Sequence, residues 1–246
     1  MMIAIAPSST QKEIIYPSSD GEPVAETYDH LYALLTTLEV LKQHLQGQKA
    51  TVLANQFLYY AQGFPKLRVA PDVMAIFDVE PGGRDNYKIW EEGQVPKVIF
   101  EMTSKGTQSQ DSEFKKDLYE RIEVQEYWLF DPRGEWLEPQ LQGYSLQGGT
   151  YVPITNNHSA VLGLRLEVED KLITFYQLNT GAKLLLPGEL AKSLQTEIQR
   201  RMEAEALAEQ EHQRAEQEHQ RAEQERQRAD ELEAMLAKYR SQFGDL

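Results

Sequence analysis

Two stretches frame this chain: Val98-Ile99-Phe100-Glu101-Met102-Thr103-Ser104 and Val124-Gln125-Glu126-Tyr127-Trp128-Leu129-Phe130-Asp131-Pro132. Each is a short apolar run stopped by polar or turn-forming residues, which is how a buried strand reads. Between them, residues 111–123 read as a helix with Phe114, Leu118, Tyr119 and Ile122 on one side. Upstream, residues 26–46 read as a longer helix. There Leu31, Leu34, Leu35, Leu38, Leu41 and Leu45 recur at helical spacing as one stripe to bury. Short apolar runs follow at 50–54, 57–60 and 73–77, and Pro81-Gly82-Gly83 breaks the chain after the third.

Downstream the pattern turns β-rich. Residues 140–146 and 151–154 form a hairpin signal through Gln147-Gly148-Gly149-Thr150, and runs at 164–168 and 172–176 flank Glu169-Asp170-Lys171. Helix, strands, helix, strand and further strands predict a single α/β (α+β) body, with a mixed sheet and helices packed against it. No GxGxxG follows the early strands, which argues against a doubly wound dinucleotide fold.

The composition break falls near Gly188. From Ala208 the heptad AEQEHQR occurs twice, followed by AEQERQR and ADELEAM, and no Pro or Gly interrupts residues 189–243. The direct reading is one long charged helix. Its seam is thin, because alanine recurs every seven residues while glutamate fills the second apolar position until Leu232. Two readings stand: a solvated, self-supporting helix, or a coiled coil joining two copies through Leu194, Ile198, Met202, Leu232 and Leu236. The expected organisation is an extended lead-in over 1–24, a domain over 25–187 and the helix over 188–246.

The 246 residues contain no cysteine, which removes disulfides, thiolate metal ligation and cysteine nucleophiles, and fits a reducing compartment. The start, Met1-Met2-Ile3-Ala4-Ile5-Ala6-Pro7, is too short for a secretory core and lacks a basic leader. No run of 18 apolar residues occurs, so the expectation is a cytoplasmic protein with no membrane partner. The formal charge of −14 argues against unspecific coating of polyanions. Residues 189–246 carry 14 acidic and 9 basic side chains, so the body itself is acidic.

Two carboxylates stand in unusual company. Asp72 follows Pro71 at the head of a strand, and Glu101 ends an apolar run. A charge within a buried strand is costly unless it is paired or bound to a cation. Two carboxylates at strand ends, with open positions for water and phosphate, are what Mg²⁺ asks for. Lys115 and Tyr119 are four apart and share a helix face, and Lys115 at the start of its helix can point back towards Glu101.

The order Pro71-Asp72, then Phe100-Glu101-Met102-Thr103-Ser104, then Asp111…Lys115…Tyr119, then Val124-x-Glu126-Tyr127-Trp128-x-x-Asp131-Pro132 resembles the restriction-endonuclease-like PD-(D/E)xK superfamily. Within it the chain is most similar to bacterial endonucleases of the Uma-two type, over roughly residues 15–180. The lead-in Asp20-Gly21-Glu22-Pro23-Val24-Ala25-Glu26-Thr27…His30 resembles the same branch. The resemblance implies a restriction-endonuclease-like mixed sheet flanked by helices. It also implies a Mg²⁺-dependent phosphodiesterase acting on DNA, with Mn²⁺ as a substitute ion. Asp72 and Glu101 would bind the metal, Lys115 would support the phosphate or the attacking water, and Glu26 would complete the cluster.

One departure matters: the superfamily lysine two residues after the second carboxylate is here Thr103. The similar branch supplies its lysine from the following helix, at Lys115, and Lys105 is the competing candidate. Glu26 has a plainer reading as a helix N-terminal acid complementing the dipole. His30 reads as a hydrogen-bonded structural residue, and Tyr119 and Trp128 read as core. Nine basic residues crowd positions 66–121, where a nuclease could concentrate a local basic surface, although the segment also holds many acids. The alternative is a catalytically inactive nuclease-fold interaction module that oligomerises through its C-terminal helix.

Overall fold

The structure, a computed structural model, describes residues 14–21, 26–103 and 114–243. The chain divides into two compact units, 1–187 and 188–246. In the first, helix α1 (Tyr28–His44) is followed by β1 (Ala50–Leu53), β2 (Leu58–Tyr59), β3 (Arg68–Val69) and β4 (Val73–Phe77). Then come β5 (Tyr87–Lys88), α2 (Ile89–Glu92), β6 (Val98–Met102), α3 (Lys116–Arg121) and β7 (Glu126–Phe130). The remainder is β8 (Leu141–Gln147), β9 (Thr150–Ile154), β10 (His158–Ser159), β11 (Leu164–Glu169), β12 (Leu172–Gln177) and β13 (Lys183–Leu184).

The main sheet is mixed, in the order β1-β4-β6-β7-β8-β9. Only β6 and β7 pair in parallel, as expected for strands joined by a helical crossover, here the chain segment carrying α3. The other neighbours are antiparallel. A four-stranded antiparallel sheet, β10-β11-β12-β13, and a small sheet, β3-β2-β5, complete the body. The architecture is therefore α+β with several sheets, as the element order predicts.

Strand alternation sorts the core into two clusters on opposite faces of the main sheet. Val73, Ala75, Val98, Phe100, Trp128 and Phe130 face α1 and the second sheet, through Leu34, Leu41, Leu166 and Phe175. Met74, Ile76, Ile99, Tyr127 and Leu129 face the other way, against Leu58, Tyr87, Tyr119 and Tyr151. Strands β4, β6 and β7 are thus apolar on both sides, and they read as continuous runs because neither face meets water.

Helix α1 begins at Tyr28, two residues later than the sequence reading, because Thr27 caps it and accepts from the His30 N–H. Its buried face also differs from the expected leucine stripe. His30, Ala33, Leu34, Thr37, Val40 and Leu41 point inward, whereas Leu31 and Leu35 are exposed. That face packs on the main sheet and the second sheet through Ala33, Leu34, Val40 and Leu41. Phe114, assigned to the buried side of the second helix, is likewise exposed, and Tyr119 takes the inward position there.

The described part of the lead-in belongs to the body. Tyr16 packs edge-on against Tyr59 at 5.1 Å and lies 5.1 Å from Trp90, and its hydroxyl accepts from the Gly63 N–H. In the second unit, α4 (Pro187–Phe243) is a single helix of 57 residues, about 85 Å long at 1.5 Å per residue. Leu194, Ile198, Met202, Leu232 and Leu236 are exposed along it.

Candidate active site

The site is assembled at the end of β4 and β6 by the sheet itself. Val73 pairs with Phe100 in the antiparallel register, and one further step sets Asp72 opposite Glu101. Residues opposite each other in such a pair project from the same face. Asn55 fixes the approach to β4, its N–H donating to the carbonyls of Pro71 (3.0 Å) and Asp72 (3.3 Å). The Met102 N–H then donates to Asp72 Oδ2 at 2.6 Å, tying the first carboxylate to the strand that carries the second.

Glu101 is completely buried. A carboxylate so placed needs its oxygens satisfied. Lys115 Nζ donates to Oε2 at 2.8 Å and the Tyr119 hydroxyl donates to Oε1 at 2.7 Å. The four-residue spacing of Lys115 and Tyr119 is what allows one helix face to serve both oxygens. Lys115 lies with Phe114 in a wide helical turn leading into α3, a distortion common where a side chain must be re-aimed. Burial, and then the Glu101 charge, hold the Tyr119 phenol well above its ordinary range, so it stays a donor.

A second group meets Asp72 from α1. Glu26 lies just before the helix and His30 in its first turn, four residues apart. His30 Nε2 is 3.4 Å from Glu26 Oε2 and 3.6 Å from Asp72 Oδ1. The three ligand atoms lie within 4.8 Å of one another. Burial raises the Glu26 carboxyl above its ordinary value, and the Asp72 charge adds to this, while His30 and an Asn55 hydrogen bond work in the opposite direction.

Of the residues singled out in the sequence, Lys115 is thus brought onto Glu101, and Glu26 is brought onto Asp72. Lys105, the competing lysine, lies outside the described residues, as do Ser104 and Asp111. Thr103, in the place of the superfamily lysine, is buried, and its Oγ1 has no hydrogen-bond partner among the described residues. Tyr119 and Trp128 are core, as expected, but Tyr119 also holds the buried acid. His30, read from the sequence as a structural residue, lies beside both Glu26 and Asp72.

The sequence matches the Uma2 family, described as "Putative restriction endonuclease", over residues 6–179. The chain belongs to the Uma2 family. A crystal structure of a "putative nuclease belonging to DUF820" from Anabaena variabilis ATCC 29413 is similar at 13% identity, covering 56% of this chain and 73% of that one, with a TM-score of 0.41. No curated protein matches the sequence.

Among the described residues, several of the basic side chains over 66–121 have local partners. Arg84 is paired with Glu92, Lys88 with Glu91, and Lys97 with Asp78. Arg68 lies 4.1 Å from the centre of the Phe57 ring, and Lys116 lies 3.7 Å from that of Tyr144. An acidic segment supplies partners at short range, so these cations are committed locally. Among the described residues, no helix is long and apolar enough to cross a membrane.

Proposed function

We propose that this Uma2 protein is a cytoplasmic divalent-metal-dependent endonuclease hydrolysing phosphodiester bonds in DNA, with Mg²⁺ as its cofactor and Mn²⁺ as a substitute. The observation that carries the reading is the Lys115–Glu101 contact of 2.8 Å, beside an Asp72 set opposite by the strand register. The donor chemistry fits a hard cation, since the carboxylates of Asp72 and Glu101 converge at a strand end.

Asp72 and Glu101 would hold the metal, with Glu26 completing the acidic set. The ion, when bound, supplies Lewis acidity towards the phosphate and lowers the pKa of the attacking water. The chain's own residues do the positioning. The Met102 N–H holds Asp72 Oδ2, leaving Oδ1 for the site. Lys115 holds a positive charge on the Glu101 carboxylate, where it would meet a phosphate oxygen and offset the charge developing in the transition state. Tyr119 keeps Glu101 oriented by donating from the buried side. Cleavage of plasmid or oligonucleotide DNA in Mg²⁺ or Mn²⁺ tests the reading. Wild type should cut, and Asp72→Ala and Glu101→Ala should not. Equal activity in all three would assign the cutting to another site.

We take residues 25–187 as the nuclease domain and 188–246 as an oligomerisation helix. The exposed Leu194, Ile198, Met202, Leu232 and Leu236 on α4 support a homodimer. Sedimentation of the full chain should then give a dimer, and Leu232→Asp/Leu236→Asp should shift it towards monomer. This association also underlies the second reading, a non-catalytic interaction module. Both Glu101 oxygens already being engaged favours it. Absence of any divalent-ion binding would decide for it.

A further inference from the structure

No aspartate or glutamate occurs between Glu39 and Asp72, although the chain has 39 acidic residues. Lys42, Lys49, Lys66 and Arg68 all fall in that stretch. Its last part is the β2–β3 hairpin, whose connection runs over 60–67 and whose second strand leads straight into Pro71-Asp72. We infer that this hairpin is an arm that holds duplex DNA, with Lys66 and Arg68 facing phosphates and Phe64 and Leu67 resting in a groove. The inference rests on the nuclease reading for its partner, and it adds the surface that would bring that substrate to the site.

Position is the first support. The β1–β4 ladder ends with Leu53 opposite Met74, and Leu58 opposite Val69 resumes the pairing beyond the site. Between these pairs the Asn55 N–H donates to the carbonyls of Pro71 and Asp72, so both legs of the hairpin are clasped at the carboxylate. Four residues of extended chain separate Arg68 from Asp72, about 13 Å at ~3.3 Å each. One turn of duplex is about 34 Å long, so arm and site can engage the same helix.

The second support is the way the tip is displayed. Phe64 is 62% exposed and Leu67 42%. The loop that carries them is nevertheless fixed. The Tyr16 hydroxyl accepts from the Gly63 N–H, the Phe64 N–H donates to the Ala61 carbonyl, and the Leu67 N–H donates to that of Phe64. Gly63, at φ +89°, makes the bend. Apolar side chains held out among cations are what minor-groove binders press against base steps.

Charge decides the partner. Lys66 is exposed, and among the described residues neither it nor Arg68 has an acidic partner. The Arg68 guanidinium stacks on the Phe57 ring at 4.1 Å and lies 3.3 Å from the Tyr59 hydroxyl, which fixes its direction and leaves its charge uncompensated. A chain of net charge −14 repels a polyanion except where such a patch faces it. Phe64 and Leu67 alone would suit a protein or a bilayer, whereas the acid-free surroundings beside the carboxylates favour a phosphate backbone.

The test is fluorescence anisotropy of a labelled DNA duplex titrated with the full-length chain in chelator, so that binding is read apart from cleavage. Phe64→Ala should weaken binding about fivefold or more. Lys66→Gln should weaken it too, and lower the slope of log affinity against log salt by about one. Lys49→Gln removes the same charge at the opposite end of β1 and should change affinity by less than about twofold. Circular dichroism establishes that each variant is folded. A wild-type chain that does not bind the duplex, or Phe64→Ala and Lys66→Gln variants that bind as wild type does, overturns the inference. Phe64-dependent capture by phosphatidylserine vesicles without duplex binding also overturns it and gives the tip to a membrane surface. DNA cleavage by Glu101→Gln is measured in parallel. Undiminished cleavage there, with Lys66- and Phe64-dependent binding retained, refutes the proposed nuclease site and sustains the arm. Cleavage that requires Glu101, with binding indifferent to Lys66 and Phe64, refutes the arm alone.

Discussion

Replacing Lys115 by methionine keeps most of the side chain's volume and removes only the ammonium from Glu101. The Glu101 side chain is 1% exposed and that of Lys115 17%. Removing one partner of a fully buried ion pair costs about 3–5 kcal/mol, because the remaining charge is stranded. The partial solvent access of Lys115 and the surviving Tyr119 bond lower the expectation to about 2–4 kcal/mol. For a body of this size that corresponds to a fall in melting temperature of roughly 5–15 °C. The same argument predicts the remedy. A divalent cation at Asp72/Glu101 replaces the lost positive charge, so Mg²⁺ should raise the melting temperature of Lys115→Met by more than it raises that of wild type. Differential scanning calorimetry in chelator and in excess Mg²⁺ reads both effects, with Lys115→Met/Glu101→Gln as the neutralised control. A single variant as stable as wild type in chelator, or identical Mg²⁺ increments for the two proteins, would refute the reasoning.

Tyr119→Phe should leave Glu101 Oε1 without its buried donor and lower stability by about 1–3 kcal/mol, measured by urea unfolding, with the fold retained. Gly143 lies opposite Trp128 in the β7–β8 pair, and a Cβ there would sit about 2.7 Å from Trp128 Cε3. Gly143→Ala should therefore cost about 1–3 kcal/mol by overpacking, and Trp128→Leu in the same chain should recover part of it. Arg84 donates to both oxygens of Glu92, at 2.8 and 3.1 Å, and holds that carboxyl below its ordinary value of 4.5. A depressed acid stabilises the fold above its unfolded pKa and loses that contribution as pH falls through the folded one. Unfolding midpoints followed below pH 4.5 should thus drop less steeply for Glu92→Gln than for wild type.

Much of the body was legible because its central strands are buried on both faces. Residues 73–77 and 98–102 were placed to the residue as β4 and β6, and the run at 127–130 falls within β7. The hairpin over 141–154 was marked by Gly148-Gly149. Strands β3, β5, β10 and β13 were not visible, since two residues carry no period and their pairing is decided by distant neighbours. The α1 stripe was misread for a related reason: leucines are more conspicuous than the alanine and threonines that the packing buries.

At the site, the chain order of acids and lysine exposed the Asp72, Glu101 and Lys115 set. Helix geometry showed that Lys115 can point back towards Glu101 and shares a face with Tyr119, while the choice of Lys115 over Lys105 came from the family resemblance. The placement of His30 beside Asp72 did not follow, because a lone histidine in a first turn gives no sign of which strand end will lie beneath it. Nor could composition reveal that Arg84, Lys88 and Lys97 are spoken for by nearby acids.

The pairing of β4 with β6 acts as a vernier for the whole centre. Side chains alternate between faces along a strand, so sliding β4 by a single residue would bring Val73 to the spot facing Glu101 and send Asp72 elsewhere. Insertions of one residue between 72 and 77 should therefore erase the centre outright, while loops such as 80–86 can lengthen without touching it. Evolutionary drift in such a protein is free at its hairpin tips and locked wherever a ladder doubles as a measuring rod.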